Sequence, residues 1–314
     1  MKLYPTKNKF VLIQTRSVGT NLSTSTNVCS KKLALVTSFW AKAKASANIT
    51  EHPHRSEIES ALVLNIISAL FDDIHILLDG SHDSYDCLVL KQNLQDRIAL
   101  TQTNSSKSRI SCVEIGDSQP NYFQMFEYTN DTALSGSIII MANADMVFDH
   151  TAIHLTMLAN NSANTIATQG FQDGRHPPEL LQTQLRQLGL EPSKMAITNR
   201  CYASRTRSSW DAYVFHYGTL SFDFKDFREQ SGRSFTMNTM GAENAALYYL
   251  TKASPNITFR QICDHVHIWH IHATAKTYVP KKKSVRGARA IAASCANIKE
   301  CLGISETEQA KSVG

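Results

Sequence analysis

Short apolar runs alternate with helical patterns along the first half of the chain, and this alternation constrains the fold more than any other feature. The runs typical of buried strands are Leu33–Phe39, Ile74–Leu78, Arg109–Ile115 and Gly136–Ala142. Between the first two runs, apolar residues of segment 57–71 recur at helical spacing after the start signals Pro53 and Ser56. Strands that alternate with helices favour βαβ units and a mainly parallel sheet. We therefore predict an α/β fold with a mainly parallel sheet flanked by helices.

The remaining patterns extend this prediction to the rest of the chain. Helices are expected at 120–130, 151–160 and 240–250, one helix within the polar excursion 171–192, an extended His-rich stretch at 257–278 and a possible helix at 289–301. Leu35, Ile76 and Ile139 should lie on adjacent or near-adjacent strands. We divide the chain into an N-terminal extension with a possible edge strand (1–32), one main domain (33–280) and a basic C-terminal tail with a possible helix (281–314).

Cysteine usage and apolar segment lengths bear on the compartment. The chain has seven cysteines, an odd number, and no Cys-x-x-Cys pair, which favours reduced thiols over a disulfide framework or a structural zinc site. The apolar stretch Phe10–Ile13 is too short for a signal-peptide core, and the run Ser137–Met141 is too short to span a bilayer. We expect a soluble cytoplasmic protein, in which the sequons at Asn48 and Asn256 would have no role.

The balance of charge argues against a nucleic-acid-binding protein. The net charge is only +5, and much of the surplus lies in the tail, at Lys281, Lys282, Lys283, Arg286 and Arg289. Such a run is typical of a solvated tail, although it could contact phosphates or an acidic membrane surface as a peripheral anchor. It lacks interleaved aromatic residues and any recognisable nucleic-acid-binding module, so nucleic acid is the least favoured partner.

The first candidate site follows the strand that ends at Ala142. Ligands of parallel sheets bind beyond the carboxyl ends of the strands, and Asp145 lies there. Divalent cations prefer carboxylate oxygens and often bind through one or two of them plus substrate phosphates. Asn143 could join this site or simply form a turn, whereas Asp149 is better interpreted as the cap of the following helix.

A second candidate segment contains residues that could shape a sugar pocket. In the segment Ser209-Trp210-Asp211, the carboxylate could accept from sugar hydroxyls and the aromatic ring could cover a sugar face; the alternative is a turn entering a strand.

A Gly241-Ala-Glu243-Asn244 segment begins a predicted helix. Gly241 would allow a close approach of substrate, and Glu243 could act as a general base. The alternative is an acidic residue placed in the first turn by the helix dipole.

Four histidines, His265, His267, His270 and His272, fall within eight residues. A single histidine is usually structural, but metal binding is the main chemical reason for such a tract. On a straight strand His270 and His272 would share one face. No His-Glu-x-x-His signature is present, so a zinc protease is not supported.

Taken in order, these motifs resemble a family of predicted glycosyltransferases with the GT-A fold, which is Rossmann-like. The matching segments are Ala142–Asp149, Ser209–Phe215, Gly241–Asn244 and His270–His272 with Tyr278. The helix that contains Arg55 and the strand end at Asp79 also resemble this family, and the likeness spans roughly residues 33–278.

The resemblance implies a nucleotide-sugar donor, UDP- or GDP-linked, a hydroxyl acceptor, and Mn²⁺ or Mg²⁺. It implies that the metal is held by Asp145 with His270 or His272, and that Asn143 stands where many members carry an aspartate. It places the donor near Thr37, Ser38, Arg55, Asp79, Asn143 and Asp145, and the sugar or acceptor near Ser209, Trp210, Gly241 and Asn244.

Glu243 would be the base if the configuration inverts, with Asp211 as the second choice. The competing interpretation is a module on the same fold that binds a nucleotide or glycan without turnover.

Overall fold

The computed structural model describes residues 11–13, 31–39, 53–79, 85–101, 108–115, 120–160, 162–166, 177–198, 210–220, 242–253, 255–272 and 293–304. Its strands are β1 (Val11–Ile13), β2 (Lys32–Phe39), β3 (Asp73–Leu78), β4 (Arg109–Glu114), β5 (Ser137–Ala142), β6 (Met146–Phe148), β7 (Ser162–Ile166), β8 (Ala196–Thr198), β9 (Ala212–His216), β10 (Thr258–Gln261), β11 (Ile268–His272) and β12 (Ala293–Ser294).

Its helices are α1 (Pro53–Ile67), α2 (Cys87–Leu100), α3 (Tyr122–Tyr128), α4 (Glu179–Gln187), α5 (Ala242–Ala253) and α6 (Ile298–Leu302), with 3-10 helices at Thr132–Leu134, His150–Met157 and Pro192–Lys194. In the parts of the chain that the structure describes, no helix is long and apolar enough to cross a bilayer.

Nine strands form the central sheet, in the order β1-β4-β3-β2-β5-β9-β7-β10-β12. The neighbours β4, β3, β2 and β5 are parallel, whereas β9 runs antiparallel to both β5 and β7. Leu35, Ile76 and Ile139 lie on β2, β3 and β5, which are adjacent, so the predicted mainly parallel α/β fold is confirmed. The direction in which the sheet grows reverses between β2 and β5, which makes this pair the topological switch point.

Both faces of the sheet are covered, which explains why the central strand β5 carries an unbroken apolar run from Ile138 to Ala142. Ile138 and Ile140 of β5 pack into one core cluster with residues of α1 and α2. Ile139 and Met141 point to the opposite face and pack with residues of α3 and α5. Alternation along one strand therefore supplies two separate cores.

A second, three-stranded sheet has the order β6-β11-β8 and is antiparallel. Asn65 of α1 attaches it to the first core, because its buried amide donates to the carbonyl of Met146 (2.8 Å) and accepts from the amide of Phe148 (3.0 Å). The chain passes from β5 to β6 through one turn, and Asp145 lies in that turn. The amide of Asn65 thus helps to fix where Asp145 sits.

The His-rich stretch is not one extended segment, as 257–278 was expected to be. It divides into β10 and β11, separated by a turn in which the amides of His265 and Val266 both donate to the carbonyl of Ile262 (2.9 Å each). The chain must turn there because β10 belongs to the central sheet and β11 to the small sheet.

The helix expected at 289–301 is also shorter. It begins at Ile298, after Asn297 caps it, and Gly303 ends it with a positive φ of 73°. Residues 293–294 instead pair with β10 as a strand.

The expectation of reduced thiols is wrong for the cysteines that the structure describes. Cys87 is bonded to Cys112, and Cys295 to Cys301, with Cα atoms 5.7 and 5.3 Å apart. Cys263 is disulfide-bonded as well. The absence of Cys-x-x-Cys spacing was a poor guide, because the start of α2 and the middle of β4 become neighbours only when the helix packs beside the strand.

Candidate functional site

The candidate site begins at the switch point, where β2 and β5 end side by side. The hydroxyl of Thr37 donates to the carbonyl of Ala142 at 3.0 Å and joins the two strand ends. Thr37 and Ser38 are both buried. Thr37 and Ser38 therefore lie at the end of β2, beside the end of the neighbouring strand β5, whose following turn contains Asp145.

Asp145 and His270 meet beside this point. Nε2 of His270 lies 2.6 Å from Oδ2 of Asp145, and the two side chains are only 12 % and 14 % exposed. The contact arises because β11 pairs with β6, the strand after Asp145, and the amide of Ile271 donates to the Asp145 carbonyl at 3.0 Å. Of His272 the structure describes only the backbone, which pairs with Ala196. The metal role of these residues stays a prediction.

The Asp145–His270 pair has a geometry that fits a divalent cation. Two ligand atoms at right angles, each about 2.1 Å from a cation, are about 3 Å apart, so the 2.6 Å contact would need to widen by only a few tenths of an ångström. A carboxylate suits Mg²⁺ and Mn²⁺, whereas imidazole suits transition metals, so the mixed pair favours Mn²⁺. Among the described side chains, one group of three potential metal ligands also occurs, and it consists of His265, Cys295 and Cys301. Its two cysteines are bonded to each other in a disulfide.

Asn143 connects two buried groups. Its Oδ1 accepts from the hydroxyl of Tyr122 (3.1 Å), and its Nδ2 donates to Oδ1 of Asp211 (3.3 Å). The backbone amide of Asn143 also donates to the carbonyl of Asp211 (3.0 Å), because β9 lies antiparallel to β5. Tyr122 and Asp211 are only 1 % and 2 % exposed. The side-chain and backbone amides of Asn143 therefore both hold Asp211 in place.

Tyr122 was not singled out from the sequence. One local signal was available, since Asn121 and Gln124 form a capping box that places Tyr122 in the first turn of α3. That signal marks the start of the helix but does not reveal the contact with Asn143.

The segments around Trp210 and Glu243 lie together in the fold. Nε1 of Trp210 donates to Oδ1 of Asn244 (3.0 Å), and the hydroxyl of Tyr213 donates to the backbone carbonyl of Glu243 (2.8 Å). The first turn of α5 is thus held against the start of β9. Ser209 and Gly241 lie outside the described residues, and their roles stay predictions.

Three carboxylates influence the ionisation of Tyr122. Burial raises the pKa of Tyr122 well above its usual value, and the charges of Glu243, Asp211 and Asp145 raise it further. Burial likewise raises the pKa of Tyr213, with Glu243 and Asp211 adding to the effect. Both phenols are therefore neutral hydrogen-bond donors.

The expected donor residues lie along the ends of β2 and β3. Asp79 is buried directly after β3, and its amide donates to the carbonyl of Phe39 at 3.2 Å. The guanidinium of Arg55 lies 4.5 Å from the ring centre of Tyr85, which stacks on Phe39 at 5.5 Å. Tyr85 was missed because it precedes α2 outside any periodic pattern.

Asp149 caps the 3-10 helix at 150–157, as its position suggested. Its carboxylate accepts from the amide of Thr151 (2.9 Å) and from Nε1 of Trp269 (3.2 Å), and it lies 3.4 Å from Nδ1 of His267. Burial favours the neutral acid, but the hydrogen bonds from His267, Thr151 and Trp269 outweigh it and lower the pKa of Asp149 to about 2. The interpretation as a cap is confirmed.

No protein-family model and no curated protein matches this sequence. Two solved structures are similar in outline. One is a 4-diphosphocytidyl-2C-methyl-D-erythritol synthase from Anaerococcus prevotii, with 9 % identity, a TM-score of 0.35, and 74 % of this chain and 88 % of that chain covered. The other is a candidate glucose-1-phosphate thymidylyltransferase from Bacillus anthracis in complex with a sucrose, with 10 % identity, a TM-score of 0.39, and 73 % and 86 % covered. Likeness at this level does not assign a function.

Proposed function

We propose that this protein transfers a glycosyl group from a nucleoside-diphosphate sugar to a hydroxyl acceptor. The observation that carries the proposal is the Asp145–His270 pair, 2.6 Å apart, beside the switch point of a mostly parallel sheet. Ligands of such sheets bind at this position. Glu243 and Asp211 support the proposal, because their charges and that of Asp145 all raise the pKa of the buried Tyr122.

The donor would bind across the ends of β3, β2 and β5. Asp79, Thr37 and Ser38 lie at the first two strand ends, and Arg55 offers a cation beside them. The diphosphate would then approach the turn after β5. Asp145 and His270 would hold Mn²⁺ or Mg²⁺, and the bound cation would offset the negative charge on the departing diphosphate.

Glu243 is the favoured base. It lies at the start of α5 and is half-buried, whereas Asp211 is almost fully buried and bonded to Asn143. Glu243 would accept the proton of the acceptor hydroxyl as that oxygen bonds to the anomeric carbon. The bond from that carbon to the diphosphate breaks, and the nucleoside diphosphate leaves with its electron pair. Trp210 and Asn244, which bond each other, would shape the neighbouring sugar pocket.

One observation favours the second candidate, a module that binds nucleotide or glycan without turnover. The side-chain oxygen and nitrogen of Asn143 are both hydrogen-bonded within the protein. At this position many members of the family that the sequence resembles carry an acidic residue.

The test is to incubate the full chain with nucleoside-diphosphate sugars and hydroxyl acceptors, with and without Mn²⁺. Release of nucleoside diphosphate and a glycosylated acceptor, followed by mass spectrometry, would support the proposal. Mn²⁺-dependent thermal stabilisation by nucleoside diphosphates without any turnover would favour the binding module. Release of inorganic diphosphate from a nucleoside triphosphate and a sugar phosphate would instead indicate nucleotidyl transfer and overturn the proposal.

A further inference from the structure

The disulfides bear on where this protein folds. Cys87 and Cys112 are both 2 % exposed and join the start of α2 to the middle of β4, while Cys301 is fully buried in its bond to Cys295. Such bonds form and persist in oxidising compartments and are rare where glutathione keeps thiols reduced. We propose that this protein folds in an oxidising, secretory-type compartment, in place of the expected cytosol, and that Asn256 carries an N-linked glycan.

The sequon at Asn256 presents both of its required side chains. The segment reads Asn256-Ile257-Thr258, without a proline at the middle position. Asn256 is exposed in the turn between α5 and β10, and Thr258 is exposed at the first position of β10. Glycosylation acceptors lie on such surface turns in secreted proteins.

The other sequons in the described residues make more contacts within the protein. Oδ1 of Asn160 accepts from Nζ of Lys31 (3.2 Å), and the hydroxyl of Ser162 in the same sequon packs against Gly303. In the sequon that begins at Asn130, the asparagine is half-buried, and its backbone carbonyl accepts from the hydroxyl of Tyr217 (3.3 Å). Asn256 is therefore the favoured acceptor.

The surroundings of Asn256 leave room for a sugar. A wide depression of about 660 Å³ opens beside it and is lined by polar groups that include Asn160, Tyr217 and Thr219. Asn256 precedes the amino end of β10, which is parallel to β7 and hence to β5. Asp145 follows the carboxyl end of β5, so a glycan on Asn256 would lie at the opposite edge of the sheet and leave the candidate site open.

The modification balances without any oxidant or reductant. Nδ2 of Asn256 forms a bond to the anomeric carbon of an oligosaccharide carried on a lipid diphosphate. The bond from that carbon to the diphosphate oxygen breaks, the amide loses one proton, and the lipid diphosphate leaves. The transferase of the host compartment supplies the catalyst and the donor.

The first experiment uses full-length protein purified from the cells that naturally make it. Treatment with peptide-N-glycosidase in ¹⁸O water should convert Asn256 to ¹⁸O-labelled aspartate, which peptide mass spectrometry detects. In the same sample, Cys87 and Cys112 should be alkylated only after reduction. An unmodified Asn256 in untreated protein, or thiols that react without reduction, would overturn the proposal.

Three variants made in those cells separate loss of the glycan from loss of the fold. Asn256→Gln and Thr258→Val should lose the part of the glycosidase-sensitive shift in electrophoretic mobility that one glycan contributes, whereas Thr258→Ser keeps the sequon and should retain it. All three should unfold at wild-type temperatures to within a few degrees, because both positions are exposed. If Asn256→Gln keeps the whole shift, Asn256 is not the acceptor. None of these outcomes depends on glycosyl transfer by the protein itself.

Discussion

Nε2 of His270 lies 2.6 Å from Oδ2 of Asp145 although 125 residues separate them in the chain. The contact follows from the pairing of β11 with β6, which starts one residue after Asp145. A carboxylate and an imidazole at this distance can either bond each other or share a cation.

Asp145→Asn should abolish Mn²⁺-dependent turnover and leave the fold intact. Loss of the anchor removes stabilisation worth several kcal/mol at the transition state, which corresponds to a roughly hundred-fold or larger fall in kcat. Loss of the bond to His270 should lower the free energy of unfolding by only about 1 kcal/mol. Steady-state kinetics and urea unfolding measure the two effects. Asp264→Asn, in an exposed turn, is the matched control, and full activity of Asp145→Asn would refute the assignment.

His270→Ala should raise the Mn²⁺ concentration needed for half-maximal activity by roughly ten- to a hundred-fold, since groups that only orient a metal ligand already contribute that much. Titration of the chelator-treated protein with Mn²⁺ gives this value. With thermal stabilisation by Mn²⁺ as the readout in place of turnover, the double variant with Asp145→Asn should lose little more than Asp145→Asn alone, because both side chains would bind one ion. An unchanged Mn²⁺ requirement would mean that the pair is a structural hydrogen bond.

Glu243→Gln should lower kcat by roughly 10² to 10⁴ while the KM for the donor changes little, because glutamine keeps the shape but cannot accept the proton. Asp211→Asn is the comparison. Since Asp211 is buried and accepts from Asn143, this substitution should lower the free energy of unfolding by about 1–3 kcal/mol. Turnover that survives Glu243→Gln would assign the base elsewhere.

Asn143→Asp should destabilise the fold at pH 7 by about 2–3 kcal/mol or more. It replaces a donor with a second carboxylate 3.3 Å from the oxygen of Asp211, so two like charges meet in a buried place. Part of the loss should be recovered at lower pH, where one of the two acids is protonated. The exchange Asn143→Asp with Asp211→Asn restores one donor and one acceptor and should recover most of the stability. Urea unfolding of the three variants tests this, and an equally unstable double variant would contradict it.

Asp149 should make the free energy of unfolding depend on pH below about 4. Its folded pKa of about 2 lies below its ordinary value of 3.8, so the unfolded chain binds the proton more tightly. The resulting stabilisation, about 2 kcal/mol, is fully present above pH 4 and is lost as pH falls through 2. Asp149→Asn should therefore be less stable than wild type at pH 7, and the difference should shrink between pH 4 and 2. Urea unfolding of wild type and Asp149→Asn across this range measures it. A constant difference would mean that the pKa of Asp149 is ordinary.

Local features of this protein could be predicted from the order of its residues. Apolar runs such as the one ending at Ala142, set between helical patterns, favour strands buried on both faces, so the parallel sheet could be predicted from them. The position of Asp145 directly after such a strand is also local, and so is the capping role of Asp149, because a cap bonds within two residues of itself.

Contacts between residues that are distant in the sequence depend on how the strands and helices pack. Hydrophobic periodicity reports which face of an element is buried, but it does not say which strands pair or in what register. The contact of Asn143 with Asp211 spans 68 residues, and it exists only because β9 lies antiparallel beside β5. The bond between Cys87 and Cys112 arose in the same way, from the packing of α2 beside β4. These contacts depend on the free energy of the whole packed core, which no local pattern encodes.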